Sequence, residues 1–288
     1  MAIAMPPVPS MAGKTVLVTG SNTGIGKVTA LVLARAKAHL VLANRSQEKT
    51  RPVLKEIAAA GGSAEFLSLD LLDLDHVKRA AELFLESGRA LNVLVANAGL
   101  VRVKEKTRQG FESTMGVNHL GHYLFIRKLL PALEKGAPAR VVVVASRAHE
   151  RLLARKFDWG WFHKDTGYTG WPDYQHSKLC NVLFSRELSR RVDPQKICTY
   201  AVHPGAIKSD IWRIAPGPMR FFINRTFITV EEGARAQIAC ASDPEKWGQT
   251  GRYWGDHAEP RTPSKLGRDD ALAKELWEKS EEWVRPWL

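Results

Sequence analysis

In the stretch WPDYQHSKLCNV, residues 171–182, a phenol and an ammonium stand about one helical turn apart: Tyr174 and Lys178. Residues at i and i+4 of a helix are neighbours on one face, so the pair is either ordinary solvated surface or a chemical unit. As a unit it has a clear use. A cation beside a phenol favours phenolate and lowers its pKa, and a phenol tuned toward neutrality can exchange a proton with a substrate hydroxyl. Pro172 suits the first turn of such a helix, which would hold both side chains on a rigid support. Spacing alone does not choose between the two readings.

A second chemical pattern is TGSNTGIG at 19–26. Gly20, Gly24 and Gly26 let backbone approach a ligand where a side chain would clash. A helix starting here aims free N–H groups and its positive end at the loop, which suits a pyrophosphate. The spacing is GxxxGxG, and it gains weight from following the first strand of an alternating series. After the next strand, NAD sites usually place a carboxylate for the ribose 2′-hydroxyl, whereas an Arg accommodates a 2′-phosphate. Between Gly20 and Gln47 the chain has no acidic residue, and that strand ends in Asn44, Arg45 and Ser46. The reading is NADP(H).

Both patterns need elements to hold them. Apolar, β-branched runs at 14–20, 39–45, 64–70, 91–99, 140–146 and 196–205, with a short one at 251–255, read as strands. Helical stretches separate them near 24–37, 47–60, 73–85 and 110–133, then through Tyr174, with a last helix near 271–284. Near-continuous apolar strands separated by helices predict an α/β fold: one Rossmann-type, doubly wound parallel sheet of about seven strands with helices on both faces. Such sheets bind ligands beyond the carboxyl ends of their strands. There stand Gly20, Arg45, Asp70, Asn97, Ser146, Pro204 and Gly205. No linker interrupts the series, so residues 13–288 read as one domain behind a flexible arm of residues 1–12.

The 288 residues are 44% hydrophobic, enough for a sizeable core, and carry a formal charge of +12. The basic residues are scattered, which speaks against a nucleic-acid partner. The balance suits an anionic cofactor or loose attraction to an anionic membrane surface. Cys180, Cys198 and Cys240 form neither a disulfide framework nor a zinc site, so a reducing compartment, the cytoplasm, is expected. The opening residues lack the pattern of a signal peptide or anchor. His119, His122 and His149 show no metal pattern and read as packing or surface residues. Trp277, Trp283 and Trp287 read as core or partner anchors.

With these residues in hand, the chain resembles the short-chain dehydrogenase/reductase family from about residue 13 to 283. The resemblance rests on TGxxxGIG at 19–26, ANAG at 96–99, VNHLGHYLF at 117–125, Ser146, YxxxK at 174–178 and HPGAIKSD at 203–210. It is similar in particular to the retinol dehydrogenase, WW-domain oxidoreductase and protochlorophyllide reductase branch, through ASRAH, YQHSKLCNVLFSREL and the 28-residue step from Ser146 to Tyr174. The chain departs from the usual NNAG at Ala96. The resemblance implies a catalytic set of Asn118, Ser146, Tyr174 and Lys178. In it Tyr174 supplies the proton, Ser146 orients the substrate oxygen, Lys178 tunes Tyr174 and holds the nicotinamide ribose, and Asn118 supports a relay to Lys178. It also implies cofactor contacts from Gly20, Asn22, Thr23, Gly24, Ile25, Gly26, Asn44, Arg45, Asp70, Leu71, Asn97, Ala98, Gly99, Tyr174, Lys178, Pro204, Gly205, Ile207 and Ser209.

Two segments, about 147–171 and 206–228, should overhang the nicotinamide. They carry Trp159, Trp161, Trp171, Trp212, Phe221 and Phe222. Ligand pockets are mostly apolar, so these aromatics suit a bulky apolar carbonyl or alcohol. They would equally serve to pack the loops onto the core or to form a subunit contact. Two other functions stay open at this point: an NADPH-binding regulator without turnover, and a reductase of an activated C=C bond.

Overall fold

The computed structural model describes residues 8–101, 103–152, 156–207 and 228–288. The strands are β1 (Thr15–Thr19), β2 (His39–Asn44), β3 (Ser63–Ser68), β4 (Val93–Ala96), β5 (Ala139–Val144), β6 (Ile197–Val202), β7 (Arg252–Trp254) and β8 (Pro260–Arg261). They form a single eight-stranded sheet in the order β3-β2-β1-β4-β5-β6-β7-β8. The first seven strands are parallel, and β8 is antiparallel to β7. The order reverses at β1, which lies between β2 and β4; this is where a doubly wound sheet opens a crevice for a ligand.

The apolar strands divide their side chains between two cores, as period-2 geometry requires. From β1, Leu17 enters one core while Val16 and Val18 enter the other. From β5, Val141 and Val143 face the first, and Val142 and Val144 the second. The helices are α1 (Gly24–Arg35), α2 (Gln47–Ala59), α3 (Leu74–Glu86), α4 (His122–Lys135), α5 (Trp171–Arg191), α6 (Val230–Ser242) and α7 (Asp270–Val284). Those on the first face are α3, α4 and α5, with α7 packed over α5. Those on the second are α1, α2 and α6.

Three features depart from the sequence expectation. Met11, placed in the flexible arm, is buried and its N–H donates to the Ala36 carbonyl at 2.7 Å. The helix α6 was not anticipated; Thr229 caps it, and a reciprocal bond from Glu232 completes a capping box, the sequence signal that announces it. The predicted helix of 110–133 is a short turn (Ser113–Met115), a π-helical stretch (Gly116–Gly121) and then α4. No helix of the described residues is long and apolar enough to cross a membrane.

Candidate active site

The glycine loop is shaped by contacts that only glycine permits. Gly20 and Gly24 have φ of +66° and +57°, in the left-handed region. A β-carbon on Gly26 would run into the Gly20 carbonyl and the Asn97 amide, whereas one on Gly24 would meet open space. Asn97 ties the turn after β4 to this loop: its Nδ2 donates to the carbonyls of Thr19 at 2.9 Å and Gly20 at 3.1 Å. The other amide atom, Asn97 Oδ1, is buried without a hydrogen-bond partner. An open cradle at a helix N-terminus with an orphaned acceptor at its floor fits a dinucleotide.

Asn44, expected as a cofactor contact, has its side chain committed elsewhere. Oδ1 accepts from the Ser21 N–H at 2.7 Å, and Nδ2 donates to Ser21 Oγ at 3.0 Å and Thr50 Oγ1 at 3.1 Å. It clamps the glycine loop to the end of β2. Arg45, the next residue, is exposed beside that loop. Asp70 Oδ1 accepts from the Leu72 N–H at 3.0 Å, and Leu71 is buried. Gly205 has φ of +87°, and Ile207 is bridged in parallel to Ile228 beyond the sheet. Ser209, Trp212, Phe221 and Phe222 lie outside the described residues.

The four residues of the expected catalytic set come together at the carboxyl end of the sheet. Asn118, in the π-helical stretch, is fully buried. Its Oδ1 accepts from the Leu100 N–H at 2.9 Å, and its Nδ2 donates to the Leu100 carbonyl at 3.1 Å and to Ser177 Oγ at 3.0 Å. Ser177 in turn donates to the Tyr174 carbonyl at 2.9 Å. Gly99 lets this network close: a β-carbon there would stand 3.2 Å from Asn118 Oδ1 and 3.6 Å from Lys178 Nζ. Ser146 lies beside the Tyr174 hydroxyl and favours its ionised form, while its Oγ accepts from the Ala148 N–H at 3.2 Å. His149, fully buried, braces Ser146 from behind, with Nδ1 2.6 Å from the Ser146 carbonyl and Nε2 accepting from the Ser264 N–H at 3.3 Å.

Burial sets the electrostatics of the Tyr174–Lys178 pair. Lys178 Nζ lies 5.5 Å from the centre of the Tyr174 ring and donates to the Val144 carbonyl at 2.7 Å, a carbonyl it shares with Asn181 Nδ2 at 3.0 Å. Burial pushes Tyr174 up to about 12, against a smaller lowering by Ser146. Burial also pushes Lys178 down to about 7. Desolvation disfavours the charged form of each.

Among the described aromatic candidates, Trp159 and Trp161 are spent on packing. Trp159 meets Phe157 at 4.7 Å and Trp283 at 6.3 Å between ring centroids, and Trp161 stacks on His176 at 4.1 Å. Trp171 instead stacks on Tyr174 itself, at 5.6 Å and 27°. Sequence reasoning missed Thr19, Ser177, Asn181 and the bracing role of His149. Thr19 carries a signal, a hydroxyl at the end of an apolar strand; the other three show none in the sequence.

A doubly wound parallel sheet with a glycine cradle where its strand order reverses defines a Rossmann-type dinucleotide-binding protein. Residues 14–156 match the short chain dehydrogenase family. Retinol dehydrogenase 11 of Homo sapiens is 39% identical over 281 residues, covering 93% of this chain and 85% of that one. An uncharacterized protein from Mycobacterium paratuberculosis superposes with a TM-score of 0.74 at 31% identity, covering 96% of both chains. A Beutenbergia cavernae protein described as an NAD(P) dependent gluconate 5-dehydrogenase, solved with bound NADP, has a TM-score of 0.69 at 26% identity and covers 86% of this chain and 97% of its own. The chain belongs to the short-chain dehydrogenase/reductase family and is an oxidoreductase of the retinol dehydrogenase type.

Proposed function

We propose that the protein is an NADP(H)-dependent oxidoreductase that interconverts a bulky apolar carbonyl compound and its alcohol. The observation that carries this reading is the joining of Asn118, Ser146, Tyr174 and Lys178 beside the glycine cradle. When bound, the nicotinamide supplies hydride exchange with the substrate carbon. The chain does the rest. Ser146 Oγ and Tyr174 Oη hold the substrate oxygen, and they meet the charge that builds there with donors already in place. Tyr174, a protonated phenol in its buried setting, gives its proton to that oxygen in the reducing direction. Lys178 takes the ribose hydroxyls beside it, and Asn118 fixes the helix turn on which this depends. Arg45 receives the 2′-phosphate where an NAD site would carry a carboxylate.

The substrate class rests on Trp171, whose indole covers one side of the Tyr174 ring, and on the similarity to a retinol dehydrogenase, whose named substrate is a long apolar alcohol. The decisive experiment is a series of ketones, aldehydes and alcohols of rising apolar bulk, followed at the nicotinamide absorbance with NADPH and with NADH. Turnover should be faster with NADPH, kcat/KM should rise with bulk, and Arg45→Ala should narrow the difference between the two cofactors. Tight NADPH binding without turnover across the series would mark a binding protein instead. A preference for NADH would remove Arg45 from cofactor selection.

A further inference from the structure

After Ser146 the chain makes a short 3-10 turn (Arg147–Arg151), and each N–H at its start has a partner. The Arg147 N–H donates to His203 Nδ1 at 3.3 Å, the Ala148 N–H to Ser146 Oγ at 3.2 Å and the His149 N–H to the Ser146 carbonyl at 3.3 Å. The middle bond decides what the serine can do. Its Oγ accepts from a donor fixed in the backbone, so its own proton points away from the turn and is free to donate to a substrate oxygen. The side chain of His149 closes the same turn. Nδ1 lies 2.6 Å from the Ser146 carbonyl and Nε2 3.3 Å from the Ser264 nitrogen. Both partners have fixed roles, since a carbonyl only accepts and a backbone N–H only donates. The ring is therefore the neutral Nδ1–H tautomer, assigned from its partners.

We infer that His149 is a positioning residue for Ser146: its bond to the Ser146 carbonyl holds the turn in which the Ala148 N–H aims the serine hydroxyl as a donor, and its bond to Ser264 ties that turn to the segment leading into α7. The surroundings fit this role. The ring is 1% exposed, and Tyr253 of β7 meets it edge-on at 5.2 Å and 88° between ring planes. Burial lowers its pKa from the ordinary histidine value, and only a neutral ring donates on one side and accepts on the other. Ser264 presents its N–H from an ordered turn, in which its Oγ accepts from the Gly267 N–H at 3.2 Å and its carbonyl from the Arg268 N–H at 3.2 Å. His203 grips the same turn from the end of β6 in the opposite sense: its Nδ1 accepts, and its partner is Arg147 and not the serine.

This role deepens the reading of the site as a dehydrogenase and rests on it, so the test includes measurements that need no turnover. In the whole protein, 15N-histidine NMR at neutral pH should show His149 as the Nδ1–H tautomer; an Nε2–H or doubly protonated ring would overturn the proposal even in an active enzyme. Two substitutions then separate the bonds. His149→Asn places an amide near the Nδ1 position and can keep the bond to Ser146. His149→Gln places one near the Nε2 position and can keep only the bond to Ser264. The Gln variant should lose about tenfold in kcat, the effect of one hydrogen bond, with NADPH affinity unchanged, while the Asn variant should stay near the wild type. A residue that acts through the serine has nothing left to do once the serine is gone, so in a Ser146→Ala background the Gln substitution should cost less than about twofold more. Equal losses from Asn and Gln, or a Gln loss undiminished in that background, would make the ring mere packing and the proposal wrong. If neither variant folds, the wild-type tautomer decides. A wild-type protein that binds NADPH yet turns nothing over would sink the dehydrogenase reading. Amide exchange at Ala148 and His149, protected in the Asn variant and opened in the Gln variant, would still support the hold on the turn, and equal protection in both would refute it.

Discussion

Lys178 is paid for in stability. Lys178 is held near pKa 7 by burial, while the unfolded chain keeps the ordinary lysine value of about 10.4. Between those values the unfolded chain binds more protons than the folded one, so folding stability rises with pH across the window, and the penalty is complete below about pH 7. Lys178→Met should therefore unfold at higher urea than the wild type at pH 6, and the gain should shrink toward pH 10. An equal difference at both pH values would show that the lysine is charged in the fold. The same substitution should weaken NADPH binding and slow turnover together, whereas Tyr174→Phe should cost a factor of about 10² or more in turnover and leave NADPH affinity unchanged. Pairing and spacing of these residues could be read in the sequence. The direction of their pKa shifts could not, because depth of burial is a property of the packed molecule.

At the level of elements, strands and glycine loop were legible because each is a continuous local pattern: an apolar run, then TGSNTGIG. The helix α6 was missed since a short alanine-rich stretch has weak periodicity, and its Thr229–Glu232 box was the only clear mark. The π-helical stretch was illegible for a different reason, as apolar residues at helical spacing look alike whether a turn holds one residue more or fewer. The aromatic segment 157–163 shows a third limit. Its residues announce a large apolar area without naming what covers it. The cover is Trp283 of α7, which meets Phe162 at 4.3 Å and Phe111 at 6.0 Å. Trp283→Ala should cost about 3 kcal/mol of stability. It should also raise KM for the bulkiest substrates more than it lowers kcat, as the segment loses its backing. Limited proteolysis within 156–171 would report the loosening, and resistance equal to the wild type would show that the segment stands without α7.

For the whole molecule, acid should be the main enemy. Burial pushes His119 down to about 3, and His122 and His203 to about 4. His119, against α7, and His122, against β1, are neighbours, and His122 adds to the lowering of His119; His203 stands apart beyond β6, where its Nδ1 accepts from the Arg147 N–H. Each takes up a proton on unfolding once the pH falls below the free histidine value of about 6.5, so stability is intact above that pH and falls as it drops toward 4. At pH 5 each contributes a loss on the order of 1–2 kcal/mol. Denaturant titrations at pH 7.5 and 5 should differ by several kcal/mol, and His119→Phe should flatten the difference by its own share. A stability independent of pH over this range would mean that the histidines are solvated.

The short antiparallel strand at the end of the sheet has a bearing on how the molecule behaves in company. A sheet's last strand presents bare backbone groups that can template another chain. Here one border is two residues long and begins with Pro260, which has no N–H to offer, followed by Arg261. At the opposite border, β3 carries Glu65 in an ion pair with Arg89. Neither rim invites a stranger's strand, so concentrated solutions should resist the edge-to-edge growth that leads to fibres.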